Sequence, residues 1–190
     1  MNKMKHQLNA ADILTLLRIA GTILLVALRP LSAGFFLLYA LAGLTDVLDG
    51  WIARKTKTAS DFGARLDSIA DLLFYAVMLF RVFPILWNTL PRNIWYAVAL
   101  IVIIRLSAYL TAAVKYRRFA SLHTYLNKLT GMAVFLVPFS LKTPYGTAFC
   151  WAVCAIAACA SLEELAIHLH SHTYCPSVKS IFHSIHRLSE

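Results

Sequence analysis

The sequence predicts an all-α membrane protein, a bundle of about six transmembrane helices with both termini in the cytoplasm. The chain has 190 residues, of which 59% are hydrophobic, and its mean hydropathy of +0.67 is too high for a soluble domain. Its apolar stretches are long enough to cross a bilayer. They lack the alternation typical of strands, and helices satisfy their backbone polar groups internally, as lipid requires. We therefore expect one helical domain over residues 1–190.

Six apolar stretches predict the helices in chain order. Residues that commonly end helices separate three pairs of neighbours: Arg29-Pro30, the segment 84–91 with a proline at each end, and the segment 142–146. We expect the spans at 13–28, 31–53, 66–86, 94–114, 126–141 and 147–169.

The C-terminal segment has a different pattern. Residues 177–190 place apolar side chains at helical spacing with basic residues between them, which predicts a short amphipathic helix on the membrane surface. Packing against the protein's own loops is the alternative. The preceding histidines, His168, His170 and His172, are interpreted as an interfacial tract rather than a metal site.

Basic residues are distributed unevenly between the two ends of the spans. One side carries Arg29, Arg81, Arg92 and Lys142. The other carries Lys3, Lys5, Arg18, Arg54, Lys55, Lys57, Arg65, Lys115, Arg117, Arg118, Lys128, Lys179 and Arg187. Because cytoplasmic ends are enriched in Lys and Arg, the termini and the loops 54–65 and 115–128 are predicted to be cytoplasmic. In so apolar a chain, the net charge of +9 favours an anionic lipid surface over nucleic acid as the partner.

Four aspartates interrupt the apolar pattern beside the 54–65 loop. Asp46 and Asp49 lie near the end of the second stretch, and Asp67 and Asp71 near the start of the third. Spacings of three and four residues place each pair on one helix face, although a carboxylate at membrane depth costs about 2.5–3.5 kcal/mol. Two such pairs would form an oxygen-rich site for Mg²⁺ or Mn²⁺. Alternatively, they cap helix ends or pair with Lys55, Lys57, Arg65 and Arg105.

The residues around the aspartates suit a diphosphate substrate. Gly50 and Gly63 remove side chains where a ligand approaches the backbone closely. Arg54 offers a planar fork for a phosphate group. Divalent ions neutralise phosphates, and one carboxylate can accept the proton of an attacking hydroxyl.

The complete pattern resembles the signature of the CDP-alcohol phosphatidyltransferases, D-x2-D-G-x2-A-R-x8-G-x3-D-x3-D. All fixed positions are present, as Asp46, Asp49, Gly50, Ala53, Arg54, Gly63, Asp67 and Asp71. The resemblance implies transfer of a phosphatidyl group from CDP-diacylglycerol to a hydroxyl acceptor, with release of CMP, in phospholipid biosynthesis. It also implies a homodimer. We expect an integral protein of the bacterial cell membrane whose active site faces the cytoplasm.

The resemblance also implies roles for individual residues. Two metal ions are implied. Asp46 and Asp67 would bind both ions, Asp49 would bind the first, and Asp71 would bind the second and also serve as general base. The CDP part of the lipid would be held by Gly50, Ala53, Arg54, Ser60 and Gly63. The segment Asn9-Ala-Ala-Asp12-Ile-Leu-Thr15-x-x-Arg18 resembles one that borders the family's CDP site, which adds Asn9 and Asp12.

A second basic group predicts where the acceptor alcohol binds. Arg105 lies within the fourth stretch, where an arginine needs an anionic partner or a polar cavity. The alternative to acceptor binding is that Arg105 pairs only with an aspartate of the protein. Arg117, Arg118 and Lys128 follow, and Lys128-Leu-Thr130 resembles the Lys-x-x-Thr of phosphatidylglycerophosphate synthases. Those enzymes have Glu after the arginine, whereas this chain has Leu106. Alternatively, the loop only sets topology and contacts anionic lipid.

We expect Arg105, Arg117, Arg118 and Lys128 to bind the acceptor, with glycerol 3-phosphate preferred. Inositol phosphate, serine or another lipid alcohol are the alternatives within this class of enzyme. The rival from another class is an ion or small-molecule transporter, but transporters place their sites near the bilayer midplane between related halves, and no internal repeat is visible here. A non-catalytic scaffold would not need the whole signature.

Overall fold

The computed structural model describes residues 9–56, 61–117 and 124–170. Within these residues it contains six α-helices and no strand, which confirms the predicted all-α class. The helices are α1 (Ala10–Ala27), α2 (Ala33–Thr56), α3 (Asp61–Thr89), α4 (Arg92–Tyr116), α5 (Tyr125–Ser140) and α6 (Gly146–His170). The predicted amphipathic helix at 177–190 lies outside the described residues.

Short polar side chains fix the starts of three helices. Asn9 and Asp12 form a capping box at α1, in which Asp12 Oδ2 accepts a hydrogen bond of 3.0 Å from the backbone N–H of Asn9. Ser32 Oγ accepts from the backbone N–H of Phe35 at 3.2 Å at the start of α2. Thr124 does the same for Asn127 at 3.2 Å at α5. These bonds satisfy N–H groups that have no partner within the helix.

The third helix is longer than the sequence predicted. Instead of breaking at Pro84, α3 continues to Thr89, and the chain leaves the helix only before Pro91, the N-cap of α4. Membrane helices tolerate an internal proline when the freed backbone groups find other partners; a proline at position 84 frees the carbonyl of Phe80, four residues earlier. Near the end of the helix, Asn88 Nδ2 donates to the Pro84 carbonyl at 2.8 Å. Since α2 runs to Thr56 and α3 begins at Asp61, the connection between the aspartate pairs is also shorter than the expected 54–65 loop.

Four of the helices are long and apolar enough to cross a membrane: α1, the Arg65–Thr89 part of α3, α4 and α6. The apolar part of α2, Ala33–Asp46, is shorter, and α5 has 16 residues. We describe the protein as an integral membrane protein on this basis.

The helices form two compact units, Met1–Thr89 and Leu90–Glu190. In the first, α1 packs against α2 and α3. Its core includes fully buried Phe35, whose ring stacks on Tyr39, and Tyr39 stacks on Phe74 of α3 at 5.5 Å between centroids. In the second unit, α6 packs against both α4 and α5, with Ala108 and Ala160 fully buried.

The first helix is polar towards the protein and apolar towards its surroundings. Its buried residues are Asp12, Thr15, Arg18, Thr22 and Leu25. Leu17 and Ile23 on the other face are each 59% exposed. In water this arrangement would be unfavourable, but lipid solvates an apolar outer surface and leaves the polar side chains to the interior.

Candidate metal and diphosphate site

Three of the four signature aspartates meet around one arginine in the first unit. Arg18 of α1 places Nη1 against Asp46 Oδ1 of α2 and, at 3.0 Å, against Asp71 Oδ1 of α3. Its Nη2 donates to Asp67 Oδ1, also on α3. One guanidinium therefore joins all three helices of this unit through carboxylates.

The arginine and the aspartates differ in exposure. The Arg18 side chain is 2% exposed, whereas those of Asp46, Asp67 and Asp71 are 46–48% exposed. The guanidinium reaches the carboxylates from the buried side of the unit, which leaves part of each carboxylate open to a ligand from the other side. Pairing with a basic residue was one alternative expected for these aspartates, and Arg18, which was not one of the expected partners, pairs with all three of them.

The donor set fits a hard divalent cation. One oxygen from each of Asp46, Asp67 and Asp71 lies within 4.8 Å of the others. Around a Mg²⁺ ion at the usual Mg–O distance of about 2.1 Å, opposite oxygens are about 4.2 Å apart and neighbouring oxygens about 3.0 Å, so these three atoms would move closer together to bind one ion. The guanidinium already occupies the cluster as a cation. Counting these four side chains alone, the cluster carries one positive and three negative charges, a net charge of −2 before any ion binds.

The structure describes the remaining signature residues to different extents. Gly63 lies in the first turn of α3. Asp49, Gly50, Ala53 and Arg54 lie on α2, one to two turns after Asp46, and their side chains are outside the described part of the chain. Ser60 is outside the described residues altogether.

Asn9 and Asp12, the two CDP-binding candidates near the N-terminus, form the helix cap described above. Asp12 is 3% exposed and shares the buried face of α1 with Arg18, about 9 Å away along the helix axis. The cap thus fixes the start of the helix that carries Arg18 into the aspartate cluster.

Comparison with known proteins assigns the family. The family model described as CDP-alcohol phosphatidyltransferase matches residues 8–159, which include α1 to α5 and the whole aspartate signature. The chain belongs to the CDP-alcohol phosphatidyltransferase family. This membership confirms the resemblance drawn from the signature and argues against the transporter alternative.

Individual relatives match over shorter segments. The chain is 40% identical over 77 residues to a CDP-diacylglycerol–serine O-phosphatidyltransferase of Methanocaldococcus jannaschii, covering 40% of this chain and 36% of the relative. It is 36% identical over 96 residues to a CDP-diacylglycerol–glycerol-3-phosphate 3-phosphatidyltransferase of Wigglesworthia glossinidia brevipalpis, covering 46% and 53%. A protein of the same name from Pseudomonas fluorescens is 42% identical over 59 residues, 30% of each chain.

The matched segments thus span at most about half the length of these curated relatives. No solved structure matches the chain.

A second polar cluster lies in the other unit of the chain. Arg105 Nη2 of α4 donates to Asn127 Oδ1 of α5 at 2.7 Å and to Glu164 Oε2 of α6 at 3.2 Å. Asn127 Nδ2 donates to the same Glu164 oxygen at 3.1 Å. Arg105 Nε also donates to Tyr109 Oη at 3.2 Å. The anionic partner expected for Arg105 is therefore Glu164 rather than an aspartate.

The other acceptor candidates differ in their surroundings. Lys128 lies in the first turn of α5, next to Asn127, and is exposed. Arg117 is exposed at the C-cap of α4, in a left-handed conformation. Arg118 lies outside the described residues. In the same region, Lys115 Nζ donates to the carbonyls of His168 and Leu169 and so caps the end of α6.

Three residues of these clusters were not predicted from the sequence as cluster members: Arg18, Asn127 and Glu164. Arg18 was interpreted only as a topology charge and as part of the N-terminal segment, although an arginine within an apolar span is itself a signal for a carboxylate partner. The same signal was available for Glu164, which is fully buried. His168, placed in an interfacial tract, is 1% exposed and packs beside Glu164 and the Tyr116 ring.

Proposed function

We propose that this protein transfers a phosphatidyl group from CDP-diacylglycerol to glycerol 3-phosphate and releases CMP. The observation that carries the proposal is the convergence of Asp46, Asp67 and Asp71, three aspartates of the family signature, within 4.8 Å of one another. In the reaction, the acceptor hydroxyl oxygen forms a bond to the phosphatidyl phosphorus. The bond between that phosphorus and the oxygen of the CMP phosphate breaks, and the hydroxyl proton passes to a carboxylate.

Asp46, Asp49, Asp67 and Asp71 are the residues that would hold Mg²⁺ or Mn²⁺, as two ions. When bound, such ions neutralise the diphosphate and the charge that develops on the leaving phosphate. Asp71 is proposed as the general base that accepts the hydroxyl proton. A carboxylate that is half exposed is accessible to a hydroxyl from outside the helix packing, which supports this role.

The CDP part of the substrate is proposed to bind the signature residues around the aspartates. Arg54 provides charge-assisted hydrogen bonds to phosphate, and Gly50 and Gly63 allow the backbone to approach the ligand. Ala53, Ser60, Asn9 and Asp12 complete the proposed set.

The acceptor is proposed to bind Arg105, Arg117, Arg118 and Lys128. Arg105 donates to Asn127, which precedes the exposed Lys128 at the start of α5. Cationic side chains suit the phosphate of glycerol 3-phosphate. The relatives from Wigglesworthia and Pseudomonas are named as glycerol-3-phosphate transferases, which supports the same acceptor.

Serine is the second candidate acceptor, and one specific observation favours it. The similarity to the serine transferase of Methanocaldococcus jannaschii supports this alternative.

The experiment is CMP release by the purified protein in lipid nanodiscs that contain CDP-diacylglycerol. Glycerol 3-phosphate, serine, inositol phosphate and glycerol are supplied separately, each with Mg²⁺, with Mn²⁺ and with excess chelator. We expect CMP release with glycerol 3-phosphate and metal, and none with chelator. CMP release with serine but not with glycerol 3-phosphate would show that serine is the acceptor. Absence of release with every acceptor, or full release in chelator, would contradict the proposal.

We also propose a homodimer in the bacterial cell membrane with the site facing the cytoplasm. The basic residues on one side of the spans support this orientation. To test it, the four native cysteines are replaced, a single cysteine is placed in the 57–60 or the 142–145 connection, and intact cells are labelled. The 142–145 position is expected to react with a membrane-impermeant reagent, whereas the 57–60 position is not.

A further inference from the structure

Arg18 occupies the position in the aspartate cluster where a cation is expected. Its two terminal nitrogens contact one oxygen each of Asp46, Asp67 and Asp71. We propose that Arg18 is an internal cation that holds the three carboxylates together in the metal-free protein and withdraws from them when a divalent ion binds. This inference rests on the metal site of the proposed function.

The position of Arg18 in its helix favours a dedicated role in the cluster. It lies on the buried face of α1 between two threonines, and each of these bonds within α1: Thr15 Oγ1 to the Ala11 carbonyl at 3.0 Å and Thr22 Oγ1 to the Arg18 carbonyl at 2.7 Å. Both neighbouring hydroxyls thus donate to backbone carbonyls of α1. The Arg18 guanidinium, on the same face, contacts all three aspartates. Three carboxylates held this close repel one another strongly unless a cation lies between them.

The guanidinium and a divalent ion compete for the same oxygens. Arginine keeps its proton at any physiological pH, so its positive charge cannot be removed when the ion arrives. An ion that coordinates Oδ1 of Asp46, Asp67 and Asp71 would displace the N–H groups that now donate to these atoms. Repulsion between two cations a few ångströms apart in a partly buried site favours withdrawal of the arginine.

The competition predicts that Arg18 weakens metal binding while it stabilises the metal-free state. In Arg18→Gln the charge is lost but an amide of similar polarity remains. We expect its affinity for Mn²⁺ to rise about tenfold or more, because the ion no longer has to replace charge-assisted hydrogen bonds from Arg18, and losing one such bond corresponds to about that factor or more. We also expect its unfolding temperature in excess chelator to fall, and to recover when Mn²⁺ is added.

The test uses the full-length protein in nanodiscs without CDP-diacylglycerol. Mn²⁺ is titrated into chelator-treated protein, and the free ion is measured by electron paramagnetic resonance. Arg81→Gln is the matched control, because Arg81 is an arginine of α3 in the same unit that donates to the backbone carbonyl of Leu28 rather than to a carboxylate. Its Mn²⁺ affinity is expected to equal that of the unmodified protein.

The outcomes separate this inference from the function itself. If the unmodified protein binds Mn²⁺ and Arg18→Gln binds it equally or more weakly, Arg18 does not compete and the inference is wrong. If neither protein binds Mn²⁺, the metal site of the proposed function is contradicted as well.

Arg18→Lys provides a second measurement if Arg18→Gln does not survive chelation. Lysine keeps the charge, but its single ammonium group cannot span three carboxylates as the two guanidinium nitrogens do. With the Mn²⁺-loaded proteins, we expect chelator to extract the ion more slowly from Arg18→Gln than from Arg18→Lys, and fastest from the unmodified protein. The reverse order would overturn the inference.

Discussion

Arg105 on α4 and Glu164 on α6 form an ion pair, with Nη2 and Oε2 separated by 3.2 Å. Glu164 has no exposed side-chain surface, while the Arg105 side chain is 27% exposed. Asn127 of α5 donates to the same carboxylate oxygen at 3.1 Å, so the three helices of the second unit share one polar junction. Within the apolar part of a membrane protein, such a junction fixes how the helices are rotated against one another.

Glu164→Ala is expected to destabilise the protein by about 3 kcal/mol, the lower end of the cost of leaving one member of a buried ion pair without its partner. The loss applies to the second unit, because Arg105 and Asn127 both lose their acceptor. Reversible unfolding in mixed micelles measures it. Leu162→Ala is the matched control on the same helix, since Leu162 is 52% exposed, and is expected to cost less than 1 kcal/mol. An equal cost for both variants would show that the ion pair contributes no net stability.

Asp71→Asn is expected to retain CDP-diacylglycerol binding and to lose transfer. The amide keeps the shape and one oxygen that can accept from Arg18 Nη1, now at 3.0 Å from Asp71 Oδ1, but it cannot accept a proton at neutral pH. We expect kcat to fall by about 10²–10⁴-fold, the usual contribution of a general base. Asp46→Asn serves as the comparison and should weaken metal and nucleotide binding instead. Turnover of Asp71→Asn within about threefold of the unmodified protein would exclude a general-base role.

Arg105→Ala and Lys128→Ala are each expected to raise the KM for the acceptor far more than that for CDP-diacylglycerol. A charge-assisted hydrogen bond contributes about 1.5–3 kcal/mol, which corresponds to one to two orders of magnitude in affinity. Kinetics with glycerol 3-phosphate and with glycerol separate the phosphate from the hydroxyl. If a variant no longer prefers glycerol 3-phosphate to glycerol, the mutated residue binds the phosphate group of the acceptor. An equal rise of both KM values would instead assign these cations to the nucleotide site or to the fold.

Gly146→Ala is expected to destabilise the protein although it adds only a methyl group. A Cβ at Gly146 would lie 2.6 Å from the Ser140 carbonyl oxygen, a backbone atom at the end of α5 that cannot rotate away. The cost should be about 1–3 kcal/mol, as for other overpacked sites. Gly131→Ala is the control, since a Cβ there meets nothing within 4 Å. In the middle of α5 it should stabilise by up to about 1 kcal/mol through helix propensity. Thermal unfolding of both variants tests the contrast.

The sequence by itself determined the helices and the family. Hydropathy and helical periodicity are local properties, so the six spans were placed within a few residues of α1 to α6. The helix end near Pro84 was the exception: α3 continues through Pro84 to Thr89, and whether an internal proline ends a helix depends on its surroundings as well as on the local sequence. The aspartate signature was equally local, since its spacing alone places the carboxylates on two helix faces.

Only the tertiary structure decided which charges meet. Arg18 is 28 residues from Asp46 and 53 from Asp71, and Arg105 is 59 from Glu164. No local pattern encodes such pairs, because they depend on how each helix is rotated about its axis and which neighbour it packs against. A buried charge in lipid must find an opposite charge, so the sequence requires that Arg18 and Glu164 have partners. The packing of α1 on α2 and α3, and of α6 on α4 and α5, selects those partners.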